Sequence, residues 1–221
     1  MTFPLTDLTL ARPTIYVFAG PNGAGKTTLY RVVASSVARV NGDDLRHQGL
    51  SEAAVEEHLR AQLAQLVQNA ESFVLESNLA TTQDYERLRG LQKQGYRLVL
   101  SFVCLESAKL CRQRVAIRVR QGGHPVDDAT VNHRYANGLN LLKVNYQLFE
   151  AITLFDNSQR ELMPVLQVVN GTPLPIGVLL PMWAQGIHAH ISRRVQLYQR
   201  LSVASPDAPS LDLPGVGEIK K

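Results

Sequence analysis

The stretch best suited to chemistry is VFAGPNGAGKTTLY, from Val17 to Tyr30, in which Gly20 to Thr27 match the pattern G-x-x-x-x-G-K-[ST] without a mismatch. In this pattern glycines let backbone N–H groups point into one concavity, the lysine reaches the β- and γ-phosphates, and the hydroxyl ligates Mg²⁺. A chance glycine turn is the alternative. Because an apolar strand-like run precedes the pattern and a helical run follows it, we expect a nucleoside triphosphate to bind here.

Within this phosphate loop the residue types assign different tasks. Lys26 is predicted to contact the triphosphate, and Thr27 occupies the position of the Mg²⁺ ligand. Thr28 is expected to pack against the protein or to touch the α-phosphate. The predicted nucleotide-binding residues are Gly20, Pro21, Asn22, Gly23, Ala24, Gly25, Lys26, Thr27 and Thr28.

Two acidic residues follow apolar, strand-like runs, Asp43 after ARVNG and Glu76 after SFVL. In an open α/β sheet both strand ends face the crevice that contains the phosphate loop. Phosphoryl transfer needs a bound triphosphate, neutralisation of its charge and a carboxylate that accepts the proton of the attacking hydroxyl. Asp43 is the candidate base, although Asn-Gly-Asp-Asp is an equally good turn sequence. Glu76 could orient the acceptor, assist Mg²⁺ through water, or cap the next segment.

Arginines cluster on both sides of Gly122-Gly123-His124. This layout predicts a glycine-hinged lid over residues 112–134, whose cations stabilise charge on the transferring phosphoryl group and which moves when a triphosphate binds. Most arginines on helices are solvated or paired at the surface, so only some can act in this way. His124 is expected to shape the hinge. The arginines are Arg112, Arg114, Arg118, Arg120 and Arg134.

Other classes of nucleotide-binding protein lack support in this sequence. An ABC-type ATPase needs an LSGGQ-like signature and a Walker B strand, and a GTPase needs N-K-x-D. None of these three patterns occurs in the sequence. QGGH at residues 121–124 lacks the Leu-Ser of that signature. A kinase for a nucleotide-linked or other small metabolite is favoured, and a regulatory ATPase in which Asp43 and the lid are structural is the alternative.

The amino-acid composition of the chain argues against several classes of binding partner. The net charge of +4 comes with arginines spread along the chain, without the Lys/Arg block that binds nucleic acid, so nucleic acid is not the expected partner. Cys104 and Cys111 lack metal-ligand spacing and are expected to be reduced, buried thiols. No basic leader precedes an apolar run, and no segment reaches the roughly 20 apolar residues of a membrane span. These features predict a cytoplasmic protein that does not bind a membrane.

The alternation of strand-like and helical runs predicts an α/β fold, a P-loop NTPase-type doubly wound, mainly parallel sheet with helices on both faces. RLVLSFVCL is apolar enough to be its central strand. Asn170-Gly171 predicts an edge hairpin, and Ser51 a helix cap. Residues 1–202 are predicted to form one kinase domain, and 203–221, rich in Pro, Ser and Asp, a flexible tail.

The motifs FAGPNGAGKTT, VNGDDLR, FVLESNL, GYRLVLSFV, RVRQGGHPV, RY and DNS occur in this order over roughly residues 13–160. In combination they resemble the zeta toxin family of P-loop kinases, in particular its short bacterial members. Members of that family phosphorylate a sugar hydroxyl of activated amino sugars such as UDP-N-acetylglucosamine. The resemblance therefore implies a toxin with ATP, or GTP, and Mg²⁺ as cofactors, a UDP-sugar as acceptor and a small antitoxin as a partner.

The resemblance also assigns roles to individual residues. It makes Asp43, the Asp of N-x-D, the base, and gives Glu76 the acidic position that helps to bind the acceptor. Arg118 and Arg134 correspond best to the lid arginines, with Arg120 as the alternative because the spacing admits either. Residues 156–158, Asp-Asn-Ser, would lie in a loop near the nucleobase, or would simply form a turn that ends the strand.

Overall fold

The computed structural model describes residues 12–33, 37–42, 45, 49–177 and 179–204, with side chains up to residue 200. In this part of the chain seven strands form a single sheet. The strands are β1 (Thr14–Ala19), β2 (Arg39–Val40), β3 (Phe73–Ser77), β4 (Arg97–Cys104), β5 (Ala151–Asp156), β6 (Met163–Val169) and β7 (Thr172–Pro175). The described helices are α1 (Lys26–Val33), α2 (Glu52–Gln68), α3 (Thr82–Lys93), α4 (Ala108–Arg120), α5 (Asp128–Asn145) and α6 (Met182–Ala204), with a 3₁₀ turn at Tyr146–Leu148.

The sheet has the order β2-β3-β1-β4-β5-β6-β7. Its first five strands are parallel, and β6 and β7 are added antiparallel. The prediction of a mainly parallel, doubly wound sheet is thus confirmed. The run RLVLSFVCL forms β4 at the centre of the sheet, and the hairpin turns at Asn170-Gly171, both of which have positive φ.

Alternating side chains of the central strands supply two separate cores. On β1, Ile15 and Val17 belong to one core and Phe18 to the other. The first core also receives side chains from α2, α3 and α6, whereas the second receives them from α1 and α4. Helices therefore cover both faces, as the sequence predicts, and α5 contributes Val131 to the second core and Leu142 to the first.

The register of the parallel strands places their carboxyl ends together. Phe18 pairs with Glu76, and Ala19, the last residue of β1, pairs with Ser77 and Phe102. The phosphate loop therefore begins where β3 and β4 end, as expected for a ligand crevice at this edge. Asp43, two residues after the described Asn41, lies outside the described residues, so its orientation remains a prediction.

Element boundaries differ from the sequence prediction at two places. The run KTTLYRVVASSVA, residues 26–38, has helical spacing throughout, but the helix described within it is Lys26–Val33 and residues 37 and 38 are not helical. The run ARVNGDD predicts a short strand that ends between residues 41 and 44, but β2 ends at Val40. The predicted cap of α2 is confirmed, because the side chain of Ser51 accepts a hydrogen bond from the backbone N–H of Ala54.

Most of the predicted C-terminal tail lies outside the described residues. α6 extends to Ala204, and residues 205–221 lie outside the described part of the chain, so the predicted tail and the predicted domain limits remain predictions. Among the described residues, no helix is long and apolar enough to cross a membrane.

Both cysteines are buried and free, which confirms the sequence prediction. Burial raises the pKa of both thiols, that of Cys111 to about 11. Since the thiolate is the reactive species, iodoacetamide is expected to leave both unmodified in the folded protein at mildly alkaline pH. Mass spectrometry should find two adducts after denaturation and none before it. Native labelling at the denatured rate would show that these thiols are accessible and ionised.

Candidate active site

The phosphate loop has glycines at positions where a side chain would strain the backbone or clash. Gly20 has φ +136°, and a Cβ added there would come within 1.9 Å of the carbonyl oxygen of Val103 at the end of β4. Gly25 has φ +105°, and its Cβ would come within 2.3 Å of Nδ2 of Asn157. The loop is therefore packed tightly between the sheet and the loop after β5, which fixes the path of its backbone amides.

Lys26 folds back across the phosphate loop. Its Nζ donates to the carbonyl oxygens of Gly20 at 2.8 Å and Pro21 at 3.3 Å, and to Oδ1 of Asn78 at 3.0 Å. The ammonium is thus placed at the mouth of the loop by three acceptors. Phosphate oxygens would make stronger, charge-assisted hydrogen bonds with the same group.

Glu76 lies beside Thr27, the predicted Mg²⁺ ligand. The Thr27 hydroxyl donates to Oε1 of Glu76 at 3.3 Å, and Oε2 of Glu76 forms an ion pair with Nη2 of Arg39 at 2.9 Å. The Glu76 side chain is only 5% exposed. Of the three roles that the sequence left open for Glu76, assistance to Mg²⁺ fits this contact best.

The donor set at this point suits Mg²⁺. The ion prefers oxygen ligands and usually binds through one or two protein groups, several waters and the phosphates of the substrate. The Thr27 hydroxyl and the adjacent Glu76 carboxylate are such oxygen donors. No group of three or more His, Cys, Asp or Glu residues that could form an all-protein metal site occurs among the described residues.

The exposure of Thr28 distinguishes between its two predicted roles, packing against the protein and contact with the α-phosphate. Thr28 lies in the first turn of α1 and is exposed, so it does not pack into the core. Contact with a phosphate is the interpretation that remains for its hydroxyl.

α5 is joined directly to the phosphate loop. Nη1 of Arg134 donates to Oδ1 of Asn22 at 2.9 Å, and Asn22 itself is only 5% exposed. This contact brings an arginine of the predicted lid to the loop that is expected to bind the triphosphate.

A polar cleft of about 410 Å³ opens between the phosphate loop and the predicted lid. Arg118 and Arg134 both line it, whereas Arg120 is exposed and is not among the described residues that line it. Arg118 also donates to the carbonyl oxygen of His124 at 3.0 Å, so its side chain follows the Gly122-Gly123 turn. The lining residues are Asn22, Glu52, Asn78, Arg118, His124, Pro125, Val126, Asp127, Thr130 and Arg134.

Two other arginines of α4 have contacts outside this cleft. Arg112 pairs with Asp128 at 3.4 Å and with Asn132, and Arg114 donates to the carbonyl oxygen of Ser158 at 3.5 Å. The structure therefore places two of the five arginines of the cluster, Arg118 and Arg134, on the cleft.

The loop after β5 contacts the back of the phosphate loop. Nδ2 of Asn157 donates to the carbonyl oxygen of Ala24 at 2.7 Å. Asp156 accepts from the Ser158 hydroxyl at 2.7 Å and from Nε1 of Trp183 on α6 at 2.9 Å. β5 ends at Asp156, and Asn157 supports the shape of the phosphate loop, a role that the sequence did not indicate. The position of residues 156–158 near a nucleobase stays a prediction.

Sequence reasoning also missed the roles of Arg39 and Asn78. Arg39 is the charged residue of the two-residue strand β2, and this was the available signal, because a buried charge in a strand requires a partner. Asn78 follows Glu76 by two residues, and its contact with Lys26 could not be read from local pattern alone.

The mainly parallel sheet, the phosphate loop after its first strand and the arginine-lined polar cleft are the features of a P-loop phosphotransferase. The family model for the zeta toxin matches residues 5–171. The chain therefore belongs to the zeta toxin family.

Solved structures support the same fold. One is that of the PezAT chromosomal toxin–antitoxin system of Streptococcus pneumoniae, with 16% identity over 92% of each chain and a TM-score of 0.54. Another is the complex of AvrRxo1-ORF1 and ORF2 solved with ATP, with 13% identity, a TM-score of 0.54, and coverage of 91% of this chain and 66% of that chain. None of the curated proteins matches the sequence.

Proposed function

We propose that the protein is a kinase that transfers the γ-phosphate of ATP to a sugar hydroxyl of a UDP-activated amino sugar similar to UDP-N-acetylglucosamine. The observation that carries the proposal is the arrangement around one cleft. Arg118 and Arg134 line this cleft from the lid side, and Asn22 of the phosphate loop and Asn78 line it from the other. Lys26 of the same loop donates to Asn78. Cations on both sides of a triphosphate are what the transition state of phosphoryl transfer requires.

Each residue has a task in this reaction. The backbone N–H groups of the phosphate loop and the ammonium of Lys26 bind the β- and γ-phosphates, while Thr27 and Glu76 provide the protein side of the Mg²⁺ site. When bound to these residues, Mg²⁺ would neutralise charge that develops during transfer. Arg134, fixed to Asn22, is proposed to contact the transferring phosphoryl group.

Asp43 is proposed as the general base. It follows β2, whose carboxyl end lies at the same edge of the sheet as the phosphate loop. A carboxylate at this edge can accept the proton of the acceptor hydroxyl as the oxygen attacks phosphorus. Glu76 is less available for that task because both of its carboxylate oxygens already have contacts.

The choice of nucleotide and partner rests on relatives. ATP is proposed because the AvrRxo1-ORF1 and ORF2 complex was solved with it, and GTP remains the alternative. A small antitoxin is proposed as a protein partner because PezAT is a toxin–antitoxin system. The UDP-amino sugar is proposed from the known chemistry of the zeta toxin family.

Incubation of the purified protein with ATP, Mg²⁺ and a panel of UDP-sugars is expected to add one phosphate to the sugar of at least one acceptor. Mass spectrometry of the products, with fragmentation to locate the phosphate, measures this. Lys26→Ala serves as the inactive control, because it removes the group that contacts the β- and γ-phosphates. Phosphate transfer to a different metabolite would replace the acceptor, and ATP hydrolysis without any transfer would favour the regulatory ATPase.

A further inference from the structure

We propose that Arg39 is a positioning residue for the Mg²⁺ end of the site. By fixing the Glu76 carboxylate, it would make Thr27 present its hydroxyl oxygen to the metal ion. This inference rests on the proposed function, since it concerns how the same site binds a Mg²⁺–nucleotide complex.

The strand register places Arg39 on the required face of the sheet. Arg39 pairs with Val74, and Val40 pairs with Leu75. Val40 and Leu75 belong to the first core, whereas Val74 belongs to the second, against which α1 packs. Since side chains alternate along a strand, Glu76 shares the face of Val74. Both charged side chains therefore point toward α1.

Arg39 is restrained from several directions. Its Nη2 lies 2.9 Å from Oε2 of Glu76, and the two side chains are 13% and 5% exposed, respectively. Its guanidinium also lies over the ring of Tyr30, 4.6 Å from the centroid. The hydroxyl of Tyr30 donates to the carbonyl oxygen of Val37 at 3.2 Å, which fixes the ring. A guanidinium restrained in this way limits the orientations open to the Glu76 carboxylate.

The orientation of the Glu76 carboxylate determines whether the Thr27 hydroxyl presents its lone pairs or its proton to the metal ion. A hydroxyl has one proton to donate and two lone pairs. Because Oε1 of Glu76 accepts that proton, the lone pairs of Thr27 remain available to a cation. If the carboxylate were free to turn, the hydroxyl could donate elsewhere and present its proton to the metal ion. Groups that orient a ligand in this way typically contribute about 10- to 100-fold to metal affinity.

A second arginine offers a matched control. Nε of Arg97 lies 2.9 Å from Oε2 of Glu150, the same distance as in the Arg39 pair, but the pair lies at the amino end of β4. That end is opposite the phosphate loop, so Arg97→Met removes an ion pair without touching the site. It therefore reports any general consequence of losing a strand arginine.

The experiment measures the binding of a non-hydrolysable ATP analogue by calorimetry, once with Mg²⁺ and once with EDTA. The ratio of the two affinities is the Mg²⁺-dependent gain. Binding of Mn²⁺ to the protein–analogue complex, followed by electron paramagnetic resonance, gives a second readout that does not depend on turnover. Wild type, Arg39→Met, Arg39→Lys and Arg97→Met are compared, and circular dichroism checks that each variant is folded.

Arg39→Met is expected to reduce the Mg²⁺-dependent gain and the Mn²⁺ affinity by about 10- to 100-fold, with the affinity in EDTA unchanged. Arg39→Lys should lose less of this gain, because it retains the charge but not the guanidinium plane that lies over Tyr30. Arg97→Met should behave as wild type. If Arg39→Met fails to fold, the inference is tested by Arg39→Lys, in which the Mg²⁺-dependent gain should be measurably smaller than in wild type.

Three results would overturn the inference. The first is a Mg²⁺-dependent gain in nucleotide affinity equal to that of wild type in every folded Arg39 variant. The second is an equal loss of nucleotide affinity in EDTA, which would indicate general damage to the loop. The third is a loss in Arg97→Met as large as in Arg39→Met. Failure of the wild type itself to bind nucleotide would instead overturn the proposed function, and this inference with it.

Discussion

Asp43→Ala is expected to lower kcat for phosphoryl transfer by about 10²- to 10⁴-fold, the usual contribution of a positioned general base. Nucleotide affinity should persist, since Lys26 and the loop amides supply the contacts with the triphosphate. It could rise slightly, because a negative charge near the phosphates is removed. The measurement pairs nucleotide calorimetry with a discontinuous assay of phosphate transfer to the acceptor.

Lys26→Ala provides the contrast that makes the first result interpretable. It should weaken nucleotide binding and turnover together, because the ammonium at the mouth of the loop is lost from both the ground state and the transition state. If the wild type arrests growth on induced expression, both variants should relieve the arrest, but only Asp43→Ala should still bind nucleotide.

Near-wild-type transfer by Asp43→Ala would reassign Asp43 to a turn and leave Glu76 as the remaining candidate base. For Glu76 to act as the base it would have to give up contacts, because it accepts a hydrogen bond from Thr27 and forms an ion pair with Arg39. Glu76→Gln should then abolish transfer without changing the Mg²⁺ dependence of nucleotide binding. Under the proposal made here, it should change that dependence.

Local patterns were sufficient for most of the fold. The unit of β1, phosphate loop and α1 follows from an apolar run, spaced glycines and a helical period, each of which acts within a few residues. The hairpin follows from Asn170-Gly171, whose positive φ angles suit a tight turn. The exact end of β2 did not follow, because a two-residue strand is defined by its pairing with β3 rather than by its own sequence.

The helical period could also have distinguished between two of the lid arginines. Arg118 follows the buried Val115 by three residues on α4, so the two lie on neighbouring positions of the helix surface, whereas Arg120 points elsewhere. The structure agrees, since Arg118 lines the cleft and Arg120 is exposed.

Contacts between distant segments account for what the sequence could not show. Arg134 and Asn22 are 112 residues apart, and Asn157 and Ala24 are 133 residues apart. No local propensity encodes such pairs, because they form only when the sheet order brings the loops after β1 and β5 and the start of α5 together. The same holds for Arg39 and Glu76, which meet because β2 and β3 are adjacent.

Arg134→Ala is expected to lower kcat by about 10²- to 10³-fold, the usual effect of removing one preorganised donor to developing charge. Arg134 lines the cleft and its guanidinium is fixed by Asn22 at 2.9 Å, so it can stabilise charge on the phosphoryl group without first reorganising.

Arg134→Lys should recover only part of the loss in Arg134→Ala, because an ammonium cannot contact Asn22 and a phosphoryl oxygen in the geometry of a planar fork. Arg120→Ala tests the alternative assignment and should leave kcat close to wild type, since that side chain is exposed outside the cleft. Steady-state kinetics give kcat and KM for each folded variant, and thermal denaturation separates lost chemistry from lost stability. A large loss in Arg120→Ala with little change in Arg134→Ala would reverse the two roles and would mean that the lid rearranges when substrate binds.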